Sequence, residues 1–285
     1  MLLSGCATAS PASPLSVSEP PIGPVPVITS PEQMVRPIDE YEPSPVELLA
    51  INQQYERLVN GCLSGHQSDL RIAIANDPSQ LLPFIEVNNR DRLTLMDLVY
   101  FFDPENAGVY GYQRPPGAVG QITGFFPSDD IVGQCSAAVN SVTPGGGDSL
   151  PFFILPDGGP VENTADSRYV AAVSQWSACM KEQGYDFDDP LLAISSFMGG
   201  MASNSGTSAD EIATATADVG CKISVNFVGQ VIAVQSAYDQ AYIDSHRDQL
   251  AVLRQQIADY IQGNVVVPPI QPVPAESGAP SDIHS

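Results

Sequence analysis

The chain has 285 residues, with 33 acidic against 11 basic side chains, a net charge of −22 and five cysteines. That balance argues against a nucleic-acid partner, because phosphate contacts need clustered Lys and Arg, and the only lysines are Lys181 and Lys222. It equally disfavours adsorption to anionic lipid through basic residues, and no apolar run approaches the roughly 20 residues that span a bilayer.

The chain opens with Leu3-Ser4-Gly5-Cys6, which resembles the lipobox of bacterial lipoproteins position for position. The resemblance implies cleavage before Cys6 and a thioether-linked diacylglyceride on its sulfur, making the membrane the partner of Cys6. Residues 1–5 are then the remnant of a signal peptide. Only Met1 and Leu2 precede the motif, so the charged and apolar regions of such a peptide are expected upstream of this start. One lipid chain anchors marginally and two anchor stably; lipoproteins of this kind carry at least two.

Residues 6–43 read as a Pro/Ser/Ala-rich tether, with ten prolines between residues 7 and 45. Proline removes a donor and fixes φ, so the stretch is expected to stay extended and outside any core. At ~3.1 Å per residue it would reach about 120 Å. Residues 264–285 have the same character and read as a disordered Pro-rich tail.

Between the tails, residues 44–263 are long enough to bury a core, and the periodicity is mainly α-helical. Ser44-Pro45-Val46-Glu47 is a capping box with proline at the first helical position. Leu48, Ile51, Tyr55, Leu58 and Cys62 follow at helical spacing. A second helix is predicted from Ser128, with Ile131, Cys135, Val139 and Val142 on one face and Pro144 to Gly147 as its stop. Tyr169, Val173, Trp176 and Met180 mark a third helix that ends at Gly184. Ser208 and Glu211 frame another capping box, opening a periodic stretch over 209–262. That stretch is either one helix or two joined near Ser245. A further helix is plausible near 91–102, and strand signals are sparse.

With Cys6 set aside, Cys62, Cys135, Cys179 and Cys221 remain. An even number in an exported chain reads as two disulfides, and four cysteines allow three pairings. Each half of the body, about 44–150 and 151–263, starts with a helix bearing one cysteine and later offers another. That repetition favours Cys62–Cys135 and Cys179–Cys221. Zinc is disfavoured, since no C-x-x-C occurs and only three histidines do, His66, His246 and His284. No cofactor is expected.

The segments around Trp176, Cys179, Met180, Gly184 and Tyr185, and around Ala215, Ala217, Asp218, Cys221 and Lys222, resemble those of uncharacterised secreted lipoproteins of actinobacteria. Cys62-Leu63 departs from the Cys-Met of that pattern. The resemblance covers about 80 residues and implies a lipid-anchored, disulfide-bonded, helical extracytoplasmic protein. It implies no reaction, because the family has none established.

Signals for chemistry are weak. Gly61-Cys62-Leu63-Ser64-Gly65 superficially resembles a nucleophile elbow, but the serine is out of order and no strand precedes it. Asp186, Asp188 and Asp189 cluster without completing a calcium loop. The glycines at 145–147 lack the Lys-Ser/Thr of a phosphate loop. Paired phenylalanines, Phe101-Phe102, Phe125-Phe126 and Phe152-Phe153, offer a candidate ligand or partner surface, since adjacent side chains cannot all face one core. Packing of both members inside an irregular loop is the alternative. The expected function is a non-enzymatic binding or accessory lipoprotein of the cell envelope, its protein or small-molecule partner unidentified. A transporter-associated solute- or peptide-binding lipoprotein and an envelope hydrolase are the alternatives.

Overall fold

The computed structural model describes residues 19–72, 74, 102–113, 130–144, 155–201 and 207–270. Among these residues the protein is mainly helical, with seven α-helices and no strand. They are α1 (Pro45–Gly65), α2 (Pro104–Tyr110), α3 (Asp130–Asn140), α4 (Ser167–Glu182), α5 (Pro190–Met201), α6 (Ala209–Ser224) and α7 (Phe227–Gln262). The helix suggested near 91–102 lies outside the described residues, apart from Phe102.

Local chemistry explains the helix starts. The Ser44 hydroxyl accepts from the Glu47 amide at 3.3 Å, and the Glu47 carboxylate accepts from the Ser44 amide at 2.9 Å, the reciprocal box read from the sequence. Glu47 also takes Arg254 of α7 at 2.7 Å, which pins the start of α1 to the last helix. Ser208 caps α6 in the expected way, at 3.1 Å from the Glu211 amide. Glu211 itself does not reach back. It is buried, and accepts from the Tyr112 amide and the Gln113 side chain at 3.3 and 3.0 Å. Gly111, at φ 62°, passes so close to Glu211 that a Cβ there would collide with it.

The two disulfides are Cys62–Cys135 and Cys179–Cys221. The first ties α1 to α3 and the second ties α4 to α6. On α1 the deepest residues are Val59 and Leu63, one position round from the expected Leu58 and Cys62. The helix is covered on two sides: Val59 and Leu63 meet Val132, Cys135 and Val139 of α3, while Ile51 and Leu58 meet α7.

The stretch 209–262 turns twice. Asn226, in the left-handed region at φ 51°, ends α6 and opens a 64° bend into α7. His246, at φ −120° and ψ 17°, interrupts α7 one residue after the expected join. Among the described residues no single helix is long and apolar enough to cross a membrane.

The expected halves interlock. Phe102, Ala107 and Tyr112, from the first, enter the core formed by Trp176, Met180, Ile194, Val219 and Val231 of the second. Conversely, Leu250, Leu253, Ile257 and Tyr260 of α7 pack with Ile51 of α1 and with Ile38. Among the described residues these two cores each draw on both halves, and α7 is common to both. Phe102 is completely buried, which removes it from the candidate surface. Phe101, Phe125, Phe126, Phe152 and Phe153 lie outside the described residues.

The tether also differs from expectation. From Glu19 onward, residues assigned to a free stalk are docked on the body. Ile28 is 1% exposed within the first core, and Ile38 is 1% exposed within the second. Between them Arg36 grips the fully buried Asp239 of α7 with two hydrogen bonds, 2.9 Å through Nε and 2.6 Å through Nη2. The strap is extended up to Thr29 and then makes two 3-10 turns, Pro31–Gln33 and Pro37–Glu40, each opened by a proline; its occasional apolar and cationic side chains have built partners. The C-terminal tail likewise starts docked, with Val265, Val267 and Ile270 partly buried against the second and third cores.

Each disulfide closes a loop of tens of residues, with sequence separations of 73 and 42. Each is worth about 4 kcal/mol through loss of unfolded-state entropy. We expect Cys62→Ser/Cys135→Ser, or the corresponding pair at 179 and 221, to lower the free energy of unfolding in urea by about that amount. A loss well under 1 kcal/mol would mean that the unfolded chain is already confined without the bond.

Candidate functional site

The segments that carry the resemblance, around Trp176–Tyr185 and Ala215–Lys222, meet in one place. α4 presents Trp176 and α6 presents Asp218, Cys221 and Lys222. All four are buried to within 1% exposure, against the Cys179–Cys221 bond. The Asp218 carboxylate is the hub. One oxygen accepts from the Trp176 indole at 2.8 Å; the other accepts from Lys222 Nζ at 2.9 Å and from the Tyr112 hydroxyl at 3.2 Å. Neither the lysine nor the aspartate side chain meets solvent.

Burial pushes the Asp218 carboxyl up, and the Lys222 ammonium with the Trp176 and Tyr112 donors pulls against it. The Tyr112 phenol is pushed far above its ordinary range by burial and by the Asp218 charge beside it. Phe197 of α5 packs on the same ring, centroid to centroid 5.9 Å. The cluster binds α4, α6 and residues 102–113 into one register. All of its side chains are enclosed.

A second polar node caps α4. Asp166 accepts from the Arg168 amide, from its guanidinium through two bonds of 2.8 and 2.6 Å, and from the Tyr238 hydroxyl at 3.0 Å. The Arg168 side chain foremost holds its pKa down to about 2. Tyr238 in turn accepts from Asn163 at 2.6 Å, so α7 is joined to the start of α4.

The remaining candidates are already engaged. Ser64 donates to the Asn60 carbonyl of its own helix at 2.9 Å, and His66 is the exposed C-cap of α1. Asp188 and Asp186 lie 2.8 and 3.6 Å from Lys181, and Asp189 accepts from the Leu191 amide at 2.7 Å at the start of α5. Among the described residues no group of three His, Cys, Asp or Glu side chains could hold a metal. A shallow concavity on α4, lined by Val173, Ser177, Lys181 and Asp188, opens to solvent.

One constellation was not anticipated. At the kink of α7, Ser245 Oγ lies 2.9 Å from His246 Nδ1, and His246 Nε2 lies 3.2 Å from Asp157. The order mimics a serine, a base and its orienting acid. However, Nδ1 also faces the Tyr242 carbonyl at 2.9 Å. A carbonyl there takes the Nδ1 proton, which leaves no lone pair to accept one from Ser245. The ring stacks on Tyr242 at 4.2 Å and closes the kink.

No protein-family model matches the chain, and no curated protein or solved structure matches it significantly. The buried cluster and the paired cysteines therefore stand on their own geometry.

Two outcomes follow from that geometry. Lys222→Met removes the cation that offsets the buried Asp218 carboxylate, a loss of about 3–5 kcal/mol by chemical denaturation. Adding Asp218→Leu should recover only part of it, because the buried Trp176 indole then loses its acceptor; full recovery would reduce the cluster to a dispensable ion pair. For Asp166 the folded pKa lies below the ordinary 3.8. Its contribution is present above pH ~4 and fades as pH falls toward 2. Asp166→Asn should flatten the fall in stability across that window, measured by urea titration at successive pH values.

Proposed function

We propose that the protein is anchored by lipid on Cys6 at the extracytoplasmic face of the cell membrane, and serves there as a non-enzymatic binding or accessory component. The observation that carries this reading is the arithmetic of the sulfurs. Four cysteines pair within the body, and the fifth stands alone in Leu3-Ser4-Gly5-Cys6. Paired cysteines are compatible with an oxidising, extracytoplasmic location, and a lone cysteine in such a chain needs its own explanation.

The docked strap revises the standoff. Between Cys6 and Glu19 there are thirteen Cα-to-Cα steps, which at ~3.3–3.6 Å each reach no more than about 45 Å. The body would therefore be held much nearer the bilayer than a free stalk of residues 6–43 allows. The non-enzymatic part of the reading is supported by where the reactive groups lie. Asp218, Lys222 and Tyr112 are enclosed, and the base beside Ser245 is turned to a backbone carbonyl.

Intact mass spectrometry of protein from native membranes tests the reading. A species beginning at Cys6, heavier than its polypeptide by a diacylglycerol and acyl groups, is expected. Reduction should add about 4 Da, four hydrogens for two disulfides. An unmodified Cys6 thiol on the native protein would remove the anchor.

A further inference from the structure

The strap is held as a ligand is held. Its residues from Gly23 to Val27 are exposed, so the chain runs over the surface there and is held by three kinds of contact, one at Glu19–Pro20 and two that meet at Ile28. The first is a carboxylate: Glu19 accepts from the Ser167 amide at 2.7 Å and the Ser167 hydroxyl at 2.8 Å, while Arg168 donates to the Pro20 carbonyl at 2.7 Å. The second is a backbone clamp. Asn226, at the corner between α6 and α7, donates to the Pro26 carbonyl at 2.8 Å and accepts from the Ile28 amide at 3.2 Å. One carboxamide thus reads alternate backbone groups of an extended chain, as a neighbouring strand would. The third is a plug: Ile28 is 1% exposed among the residues of the first core.

The body is shaped for this passage. Gly229, in the first turn of α7, lies so near the Pro26 carbonyl oxygen that a Cβ would collide with it and with the Asn226 carboxamide. A glycine inside a helix costs about 1 kcal/mol relative to alanine, and here its missing side chain is the floor of the groove. Asn226 adopts its left-handed backbone at the same point.

We infer that the groove from the start of α4 to the first turn of α7 is a peptide-recognition site, occupied in cis by residues 19–28. In trans it takes an extended, proline-containing segment of a partner protein with a carboxylate nine residues ahead of an aliphatic plug. Tethering masks the site, because a covalently linked segment competes at high effective concentration; a partner enters only when the strap lifts. This adds a site to the binding role proposed above, and holds with or without the lipid on Cys6.

The test uses the full chain and a fluorescent synthetic peptide of residues 19–30, EPPIGPVPVITS. Ile28→Asp removes the plug of the cis segment and empties the groove. Gly229→Ala fills its floor and, by propensity, favours the helix. We expect Ile28→Asp to bind the peptide saturably by anisotropy, at least tenfold more tightly than the unaltered chain. Ile28→Asp with Gly229→Ala should lose that gain, and a peptide carrying Asp in place of the plug isoleucine should not bind. Binding to Ile28→Asp no tighter than to the unaltered chain, or unchanged on adding Gly229→Ala, overturns the site. Loss of helical circular dichroism in Ile28→Asp overturns it too, because the strap would then be an integral part of the core. In the unaltered chain, the Ile28 amide should exchange hydrogen far sooner than those of α7; exchange only with global unfolding contradicts a strap that lifts.

Discussion

A lysine and an aspartate with no solvent around either impose the strictest condition in this molecule. Neither charge tolerates being left alone in the core, and their mutual attraction alone does not offset the water both have lost. Trp176 and Tyr112 supply the further donors that make Asp218 tolerable. Those donors come from α4 and from the turn after α2, so three segments distant in sequence must arrive in one register. The Cys179–Cys221 bond holds α4 and α6 together at the same place. Hydrophobic burial around Trp176 supplies the bulk of the attraction there, and the polar cluster selects one packing from the many that burial alone would accept.

From that cluster the architecture spreads along α7. Its first turns seal the core over Trp176, and its later turns face α1 and the other disulfide-linked pair. The kink at His246 lets one helix serve both. The N-terminal strap follows a parallel course: Ile28 enters the first core, Arg36 grips α7 midway and Ile38 enters the second. Helix and strap together make one body of two disulfide-bonded pairs. Under the lipid anchor proposed on Cys6, a docked strap would hold this body closer to the membrane than a free stalk does.

Local signals were legible in the sequence, and distant ones were not. The capping box at Ser44 and the helical spacing of Tyr169, Trp176 and Met180 depend on neighbours within one turn, and the structure bears them out. The cysteine pairing followed from a repeated module. The short α2 escaped notice although Asp103-Pro104 is a proper helix start, and α5 has little periodicity to show. Glu211, Thr214, Asp218 and Lys222 form a polar stripe that pattern reading assigns to solvent, yet all four are buried. Their partners lie on other elements, which no spacing along α6 reveals. The strap failed for the same reason. Extended proline-rich chain reads alike whether it is solvated or docked, and the residues that receive Ile28 and Arg36 are 198 and 203 positions away.

The most direct measurement of the central cluster is hydrogen exchange at the Trp176 indole, followed by NMR. Trp176 is the only tryptophan in the chain, so its Nε1–H resonance needs no assignment. Bound to an enclosed carboxylate, that proton should exchange only when the whole protein unfolds, with the free energy of opening equal to that of global unfolding. Exchange within minutes under native conditions would mean that Asp218 does not hold it, and the constraint on which the packing depends would be absent.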